Sequence, residues 1–300
     1  MNWGILATGT IARKFADTVN RMGGEEKLVA VASRSEEKAA AFANEFGIPG
    51  YYGSYEAMLK DAGVDAVYIA TPNSMHYENC VLCLDAGKHV LCEKPVSFSK
   101  EDIETTISIA QACNKIFLPA FVNRFRKDIS KFGELVHLCG KVKEIEVSWI
   151  RKSGIPRPST WITNKEKAGG GVLIDIGTHV IDIGLMFVLD KSIKSTRLLY
   201  GNVEEVQKKG AQWNVDDEGQ AFLFDVETWA RGEIVFSDDS ILKFHVDWSD
   251  DISEDATKIK VIGTNGTVSM NTLFGFSNNF TRKNIEILYY TENEQREVCT

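Results

Sequence analysis

Two polar side chains, Asp175 and His179, lie four residues apart in a strongly apolar stretch of the chain. Residues at this spacing project from one face of a helix, so a carboxylate and an imidazole can converge on one small ligand. Gly177 between them would let the helix approach a flat ring, and Asp182 would orient the imidazole from behind. An Asp–His pair among apolar residues is costly to bury. The pattern therefore favours a functional site over an exposed helix face.

Two further polar segments follow apolar runs that are typical of strands. Glu93-Lys94-Pro95 places a lysine where it could donate hydrogen bonds to a substrate hydroxyl and to a cofactor ribose. Burial near a positively charged nicotinamide would lower the pKa of that lysine and so suit it to proton transfer. Ala70-Thr71-Pro72-Asn73 ends an earlier run, at the edge where open α/β sheets bind ligands. Asn73 is predicted to cap the next helix or to bind the ribose, and His76 to be solvated or to cap that helix.

The N-terminal residues pass from an apolar strand through Ala7-Thr8-Gly9-Thr10-Ile11 into a helix. Gly9 can let the backbone approach a pyrophosphate closely, and a helix that begins near Thr10 points free N–H groups at it. Ala12 takes the third position of the G-x-G-x-x-G dinucleotide fingerprint, and Ala7 takes the first, where glycine is usual. Taken alone, the segment is equally compatible with a cofactor loop and with an ordinary turn between a strand and a helix.

A second apolar run, residues 28–32, ends in Ser33-Arg34-Ser35. In a nucleotide-binding βαβ unit this strand tip lies beside the adenosine ribose, where an acidic residue binds the hydroxyls of NAD and an arginine accommodates the phosphate of NADP. No acid stands at the tip, and Arg34 offers a planar fork suited to phosphate. We therefore expect NADP(H) to be preferred, with NAD(H) as the alternative if Arg34 is solvated or stacks on the adenine.

The composition excludes several classes of protein. The 300 residues are 44% hydrophobic and 25% charged, and the formal net charge of −8 argues against a general nucleic-acid binder. No apolar stretch approaches the length of a membrane span and the N-terminus does not resemble a secretion signal, so we expect a cytoplasmic protein.

Cys80 and Cys83 form a C-x-x-C, but their helical spacing predicts packing rather than redox or metal chemistry, and we expect no metal site.

The elements that must position these residues fall into two groups. Strands and helices alternate up to Phe121, which predicts a doubly wound parallel sheet of the Rossmann type. Its helices are predicted from an N-cap at Ser35 to a stop at Gly47, at 55–62, at 74–86 and from a cap at Ser99 to about Asn114, and its later strands at 66–70, 89–92 and 116–121. Beyond it, a few helices accompany consecutive strands, which predicts an α+β domain on an open, largely antiparallel or mixed sheet. We therefore expect two domains, 1–121 and 122–300. The strands of the second are predicted at 142–150, 195–206, 220–228, 231–236, 241–248, 257–262 and 267–270, with a hairpin turn at Asn265-Gly266.

The motifs together resemble the glucose–fructose oxidoreductase / inositol dehydrogenase / rhizopine catabolism family in their order and spacing. The resemblance runs from Trp3 to at least Gly266, and its most specific part is Glu-Lys-Pro combined with Asp-x-Gly-x-His. It is carried by the N-terminal glycine turn, 70–73, 93–95, Asn123-Arg124-Phe125 and 169–179. The resemblance implies an NAD(P)-dependent dehydrogenase of a sugar, polyol or related alcohol. Its first domain would bind the cofactor, and its second would bind substrate and form dimers or tetramers through the open sheet.

The resemblance also implies roles for single residues. Lys94 matches a lysine that contacts substrate and nicotinamide, Asp175 a carboxylate that positions substrate, and His179 a proposed acid/base, while the choice of direct base between Lys94 and His179 stays open. Arg124 and Trp161 are expected in the substrate pocket, with simple core packing as the alternative for Trp161. The expected cofactor-binding residues are Ala7, Thr8, Gly9, Thr10, Ile11, Ser33, Arg34, Ala70, Thr71, Pro72, Asn73, Glu93 and Lys94.

Two other functions fit the same motifs. One is a cofactor-binding regulator without catalysis, which loss of Lys94 or of the Asp175–His179 pair would mark; all three residues are present. The other is an enzyme that cleaves a glycosidic bond through transient oxidation. We expect the dehydrogenase, in which a hydride passes between a carbinol carbon and C4 of the nicotinamide. Many members resembling this chain continue through a further helix beyond the position of Thr300.

Overall fold

The computed structural model of the protein describes residues 1–202, 224–275, 277, 279, 285–291 and 295–299. The chain divides into two compact units, Met1–Ala120 and Phe121–Thr300. Within the described residues each unit contains one sheet, parallel in the first and mixed in the second.

The first unit is built on a six-stranded parallel sheet with the order β3-β2-β1-β4-β5-β6. The order reverses between β1 and β4, which confirms the doubly wound Rossmann prediction and places the ligand-binding edge at the carboxyl ends of these strands. The strands are β1 Asn2–Leu6, β2 Lys27–Ala32, β3 Gly50–Tyr52, β4 Ala66–Ile69, β5 His89–Cys92 and β6 Phe117–Pro119. The helices are α1 Thr10–Met22, α2 Glu36–Phe46, α3 Tyr55–Leu59, α4 His76–Asp85 and α5 Lys100–Ala112.

Side-chain caps explain where these helices begin. Ser35 accepts a hydrogen bond from the Lys38 N–H at the start of α2, and Ser99 accepts one from Asp102 at the start of α5. Gly47 ends α2 in the left-handed conformation, with φ of 69°. The caps agree with the sequence, whereas α3 and β6 are shorter than the predicted segments 55–62 and 116–121.

The C-x-x-C motif belongs to the core of the first unit. Cys80 and Cys83 are fully buried on α4, and they pack among apolar side chains of the sheet together with Cys92. Burial raises the pKa of the Cys83 thiol, which keeps it protonated and unreactive. The packing interpretation of this motif is therefore confirmed.

The second unit has an eight-stranded sheet in its described residues, with the order β14-β13-β12-β11-β7-β10-β9-β8. Strands β7 and β10 pair in parallel and the other neighbours are antiparallel, so the predicted α+β domain on a mixed sheet is confirmed. The strands are β7 Val142–Ile150, β8 Ile193–Gly201, β9 Trp229–Phe236, β10 Ile241–Asp247, β11 Ala256–Gly263, β12 Thr267–Thr272, β13 Glu286–Tyr290 and β14 Gln295–Cys299.

Two of the predicted strands differ from the structure. Residues 220–223 of the predicted strand 220–228 lie outside the described residues, and 224–228 form no strand. The strand predicted at 195–206 begins at Ile193 and ends at Gly201, and residues 203–206 lie outside the described range. Strands β13 and β14 were not predicted at all. The hairpin turn at Asn265-Gly266 is confirmed, since it joins the antiparallel strands β11 and β12.

Helices cover one face of this sheet. They are α6 Lys127–Val136 and α8 Thr178–Leu185, with a π-helical turn at Leu173–Gly177 leading into α8; the short helix α7 Lys165–Ala168 precedes that turn. Helix α8 packs closely on the sheet, because a Cβ on Gly184 would lie 2.4 Å from the Leu242 side chain. The stretch Lys165–Leu185 is long and apolar enough for a membrane span, which corrects the expectation that no stretch in the chain approaches that length; 56% of its most apolar window is buried inside the protein.

Candidate active site

The N-terminal turn has the geometry of an anion-binding loop. Ala7 has φ of 81°, a left-handed conformation that costs a residue with a Cβ about 1–2 kcal/mol, which explains why glycine is usual there. Gly9 is the N-cap of α1, and a Cβ built on it would meet nothing within 4 Å. The first turn of α1 contains no acidic residue, so its N–H groups and the open space at Gly9 fit a pyrophosphate. Thr8 is half-buried, and Thr10 and Ile11 are exposed in this first turn.

The tip of β2 presents a cation. Ser33 is buried, its N–H donates to the Tyr52 carbonyl, and its hydroxyl accepts a bond from the Ser35 N–H. Arg34 between them is exposed, and no carboxylate in the described part of the chain forms an ion pair with it. Burial raises the pKa of the nearby Tyr55 phenol, and the charge of Arg34 opposes that shift. The guanidinium is thus positively charged and accessible at the position where the ribose phosphate of NADP is expected.

Side chains of α4 form hydrogen bonds with the loop after β4. Ala70, Thr71 and Asn73 are all buried, and the Thr71 hydroxyl accepts a hydrogen bond of 3.0 Å from the Asn79 amide. His76 is 1% exposed, and each of its ring nitrogens lies beside a carbonyl oxygen. The prediction of a solvated or capping His76 is therefore wrong. Helix α4 begins directly after this loop, so its first side chain turns inward against the loop.

The loop after β5 carries Lys94. The Tyr68 hydroxyl donates to one oxygen of the Glu93 carboxylate, and the Lys94 backbone N–H donates to the other oxygen over 3.3 Å. Burial raises the pKa of Tyr68, and the Glu93 charge raises it further, so the phenol stays a donor. The Lys94–Pro95 peptide bond is cis, and Lys94 is half-buried. In this structure Glu93 shapes the loop that presents Lys94; its contact with a cofactor stays a prediction.

In the second unit Asp175 and His179 lie on the same helical segment. Asp175 belongs to the π-helical turn, a feature found frequently at functional sites, and His179 lies on the first turn of α8. The indole N–H of the fully buried Trp248 donates a 3.0 Å hydrogen bond to the Asp175 carboxylate. The centroid of the His179 ring lies 6.2 Å from the ring centroids of Phe121 and Trp149. The spacing therefore predicts the shared segment correctly, although both side chains are half-buried rather than buried.

A carboxylate fixes the start of that segment. The two oxygens of Glu227 accept hydrogen bonds from the N–H groups of Gly171 (2.9 Å) and Leu173 (3.0 Å), and its carbonyl accepts one from Val172 (3.0 Å). A Cβ on Gly171 would lie 2.0 Å from that carbonyl oxygen, so only glycine fits. Sequence reasoning missed Glu227 and Trp248. The run of three glycines was the one local sign that a backbone approaches closely.

Arg124 and Asp182 form an ion pair with each other. The guanidinium Nε donates to both carboxylate oxygens, at 3.0 and 2.8 Å, and a second nitrogen also bonds the carboxylate. The hydrogen bonds to Asp182 raise the pKa of Arg124, and Asp182 is almost fully buried. The prediction that Asp182 orients the His179 imidazole is wrong, because its described partner is Arg124. A substrate contact of Arg124 stays a prediction.

Trp161 forms none of the hydrogen bonds or ion pairs described above. It occupies a short 3₁₀ turn, Trp161–Thr163, and is 38% exposed. Simple core packing therefore does not describe this ring. Its proposed contact with substrate stays a prediction.

Comparison with known proteins identifies the class. Residues 1–121 match an oxidoreductase family with an NAD-binding Rossmann fold, and residues 137–269 match the GFO/IDH/MocA C-terminal domain. The chain is 30% identical over 278 residues to the candidate UDP-kanosamine synthase oxidoreductase subunit of Amycolatopsis mediterranei, covering 92% of this chain and 76% of that protein. It is 30% identical to D-glucoside 3-dehydrogenase of Escherichia coli, covering 83% of this chain and 71% of that protein.

A solved structure agrees with this assignment at the level of the fold. Levoglucosan dehydrogenase in complex with NADH and L-sorbose matches with a TM-score of 0.80 at 20% identity, covering 100% of this chain and 80% of that one. The fold is thus that of a Rossmann oxidoreductase with an α+β second domain. The chain belongs to the GFO/IDH/MocA family of NAD(P)-binding oxidoreductases, and the resemblance found in the motifs is confirmed.

Proposed function

We propose that this protein is an NADP(H)-preferring dehydrogenase or reductase of a sugar, a polyol or a related alcohol. The observation that carries the proposal is the Asp175–His179 segment, whose backbone is fixed by Glu227 and whose carboxylate is fixed by Trp248. A carboxylate and an imidazole held in this way suit the recognition and deprotonation of a hydroxyl group. The sugar-directed name of the Escherichia coli relative supports the same substrate class.

The proposed reaction separates a hydride from a proton. When bound, the nicotinamide would supply the acceptor for a hydride from the carbinol carbon, or the hydride donor for a carbonyl carbon in the reverse direction. His179 exchanges the hydroxyl proton, Asp175 holds the substrate through its hydroxyls, and Lys94 stabilises the negative charge that develops on the reacting oxygen. Arg124 and Trp161 are proposed to line the substrate pocket. Loss of activity on replacing each of Lys94 and His179, combined with pH profiles, distinguishes which of them is the direct base.

The preference for NADP(H) rests on one residue. Arg34 is exposed, without a carboxylate partner in the described residues, and follows a buried serine at the tip of β2. A guanidinium in this state can bind a phosphate with two parallel hydrogen bonds. The remaining proposed cofactor contacts come from the 7–11 turn, from 70–73 and from the loop with Glu93 and Lys94.

The proposals on assembly and cellular location come from the resemblance to the family. We propose a cytoplasmic homo-oligomer that associates through the sheet face of the second unit that the helices leave uncovered. Ion pairs cross that face, between Lys243 and Glu144 (2.8 Å) and between Lys260 and Glu146 (3.6 Å). Such a polar surface would give a polar interface rather than a large apolar one.

The experiment is an assay of sugars and polyols, followed through the absorbance of NADPH and NADH. We expect reversible oxidation of at least one sugar or polyol, faster with NADP than with NAD. Tight cofactor binding without turnover of any compound would overturn the dehydrogenase and favour a regulator. Cleavage of a glycoside without net change of cofactor would favour the glycosidase instead.

A further inference from the structure

The His76 ring links two neighbouring loops of the first unit. Strands β4 and β5 pair in parallel, from Ala66 with His89 to Ile69 with Cys92, so the loops that follow them leave the sheet side by side. The His76 Nε2 lies 2.8 Å from the carbonyl oxygen of Thr71 in the first loop. Its Nδ1 lies 2.6 Å from the carbonyl oxygen of Pro95 in the second loop.

Both nitrogens of this ring are occupied by backbone carbonyls. A carbonyl oxygen only accepts hydrogen bonds, and a neutral imidazole has a single N–H to donate. A neutral His76 therefore donates to one of the two carbonyls at a time, and only a protonated His76 donates to both. Burial lowers the pKa of His76, while the two carbonyls and the charge of Glu93 oppose that shift and Lys94 adds to it. With its ring nitrogens engaged and its surface buried, His76 is placed to act on the backbone around it and not on a bound substrate.

The loop with Lys94 is held from both sides. Before Lys94, the Glu93 carboxylate is fixed by the Tyr68 hydroxyl and accepts the Lys94 N–H. After Lys94, the Pro95 carbonyl is fixed by the imidazole of His76. The backbone of the lysine is therefore bracketed by two side chains that come from different elements, β4 and α4.

We propose that His76 is a positioning residue that fixes the Lys94 amine for catalysis through its hydrogen bond to the Pro95 carbonyl. The inference rests on the proposed function, because it assigns His76 a task only if Lys94 takes part in the reaction. The bond to Thr71 has a different consequence, since that carbonyl belongs to the 70–73 loop of the proposed cofactor contacts. The neutral ring carries its proton on Nδ1 when it donates to the Pro95 carbonyl and on Nε2 when it donates to the Thr71 carbonyl, so the two tasks belong to two tautomers and are separable.

Three substitutions separate the tasks. In His76→Asn the amide nitrogen reaches about as far as Nδ1 and keeps a donor for Pro95. In His76→Gln the amide nitrogen reaches about as far as Nε2 and keeps a donor for Thr71 instead. In His76→Phe the ring volume is kept and both donors are lost. His89→Phe is the matched control, because His89 lies at the opposite end of β5, where its ring nitrogen accepts a bond from the Ile116 N–H.

The first measurement is steady-state turnover with the best sugar or polyol of the panel. We expect His76→Asn and His89→Phe to keep kcat within about threefold, and His76→Gln and His76→Phe to lose about 10- to 100-fold in kcat with little change in the KM for substrate. Equal losses in His76→Asn and His76→Gln would overturn the proposal, because a purely structural histidine does not distinguish its two nitrogens. A loss confined to His76→Asn would overturn it as well.

The second measurement does not require turnover. The rate at which trace acetic anhydride labels the Lys94 amine is read by peptide mass spectrometry in all four variants. We expect labelling to be at least about threefold faster in His76→Gln and His76→Phe than in His76→Asn, because only the Asn variant retains the bond to Pro95. Equal rates would overturn the positioning role. If no sugar reacts with the unmodified protein, the proposed function fails while this measurement still decides whether His76 fixes the lysine.

Discussion

Arg34 stands exposed between two serines whose hydroxyl and amide groups are bonded to each other. The serines hold the backbone at the tip of β2, so the guanidinium presents its donors from an anchored position. Two parallel hydrogen bonds from a guanidinium bind a phosphate more strongly than a single hydrogen bond from a flexible ammonium. They require a guanidinium that is not already paired with a carboxylate. Arg34 meets this condition among the described residues.

We expect the protein to bind NADPH more tightly than NADH. Arg34→Ala should weaken NADPH binding by about 1.5–3 kcal/mol, or about 10- to 150-fold, and change NADH binding by less than about threefold. Fluorescence titration of both cofactors measures this. Lys38→Ala, at an exposed position on the following helix α2, is the control, and it should leave both affinities unchanged. Equal affinity of the unmodified protein for the two cofactors would rule out the assignment.

Spacing in the sequence indicates some functional residues and hides others. Asp175 and His179 are four residues apart on one helical segment, so local pattern suffices to propose them. Lys94 was proposed because Glu93-Lys94-Pro95 occurs together with the other motifs of the family. Trp248 bonds Asp175 from 73 residues away, and Glu227 bonds Gly171 from 56 residues away. No local pattern pairs residues at such separations. The predicted role of Asp182 fails for the same reason, since Arg124 reaches it from 58 residues away.

The helical segment that carries Asp175 depends on a cap from outside it. The first N–H groups of a helix have no partner within the helix, and Glu227 accepts the bonds of Gly171 and Leu173 with a charged carboxylate. A negative charge at this end also interacts favourably with the helix dipole. The orientation of Asp175 and His179 therefore depends on Glu227.

Glu227→Ala should lower the free energy of unfolding of the second unit by about 2 kcal/mol, because two partly buried N–H groups lose a charged acceptor. Turnover should fall as well, since Asp175 and His179 lose their fixed backbone. Glu227→Gln should lie between, because its amide retains one acceptor oxygen. Urea unfolding and the sugar assay measure both effects. Glu166→Ala, an exposed carboxylate on α7, is the control; a Glu227→Ala protein as stable as this control would contradict the capping role.

A second element is held by a carboxylate at the start of α6. Burial opposes the ionisation of Asp128, but the hydrogen bonds from Arg126, from the Thr272 hydroxyl and from the Ile129 N–H outweigh it and hold the pKa of Asp128 below its usual range. Since the pKa in the folded state lies below the unfolded value of about 3.9, the resulting stabilisation is complete above that value. It is lost as the pH falls through the folded pKa.

The second unit should therefore lose stability as the pH falls below about 4. Asp128→Asn should lower the free energy of unfolding by about 1–3 kcal/mol at neutral pH and flatten the acid-dependent part of the curve. Urea unfolding followed from neutral to acid pH measures both. The exposed Asp251→Asn should behave like the unmodified protein. An unchanged acid slope in Asp128→Asn would show that other carboxylates dominate acid unfolding.

Predictability differs among the elements. Helices with serine caps and glycine ends, such as α2, and fully apolar strands, such as β4, were predicted within a residue or two because local chemistry determines their ends. The three-residue strand β3 was not named, and β6 was predicted too long. Pairing with a neighbouring strand decides the extent of such short strands, and a single segment contains no information about its neighbour.

The two units have separate tasks in the proposed function. The nucleotide turn, Arg34 and the Lys94 loop belong to the first unit, and Asp175, His179 and their supports belong to the second. The sequence predicted this order of elements and the change from a parallel to a mixed sheet. If the tasks are separate, a substitution in the second unit can abolish the reaction without weakening cofactor binding.

Turnover and NADPH affinity, measured together in His179→Ala and Lys94→Ala, decide whether these two residues carry the chemistry. Each variant should lose about 10²- to 10⁴-fold in turnover of a reactive sugar, the usual effect of removing a positioned proton-transfer group. NADPH affinity should stay unchanged in His179→Ala, and the exposed His137→Ala in the same unit should retain both properties. Full turnover in His179→Ala would contradict its acid/base role, and full turnover in both variants would place the chemistry on other residues.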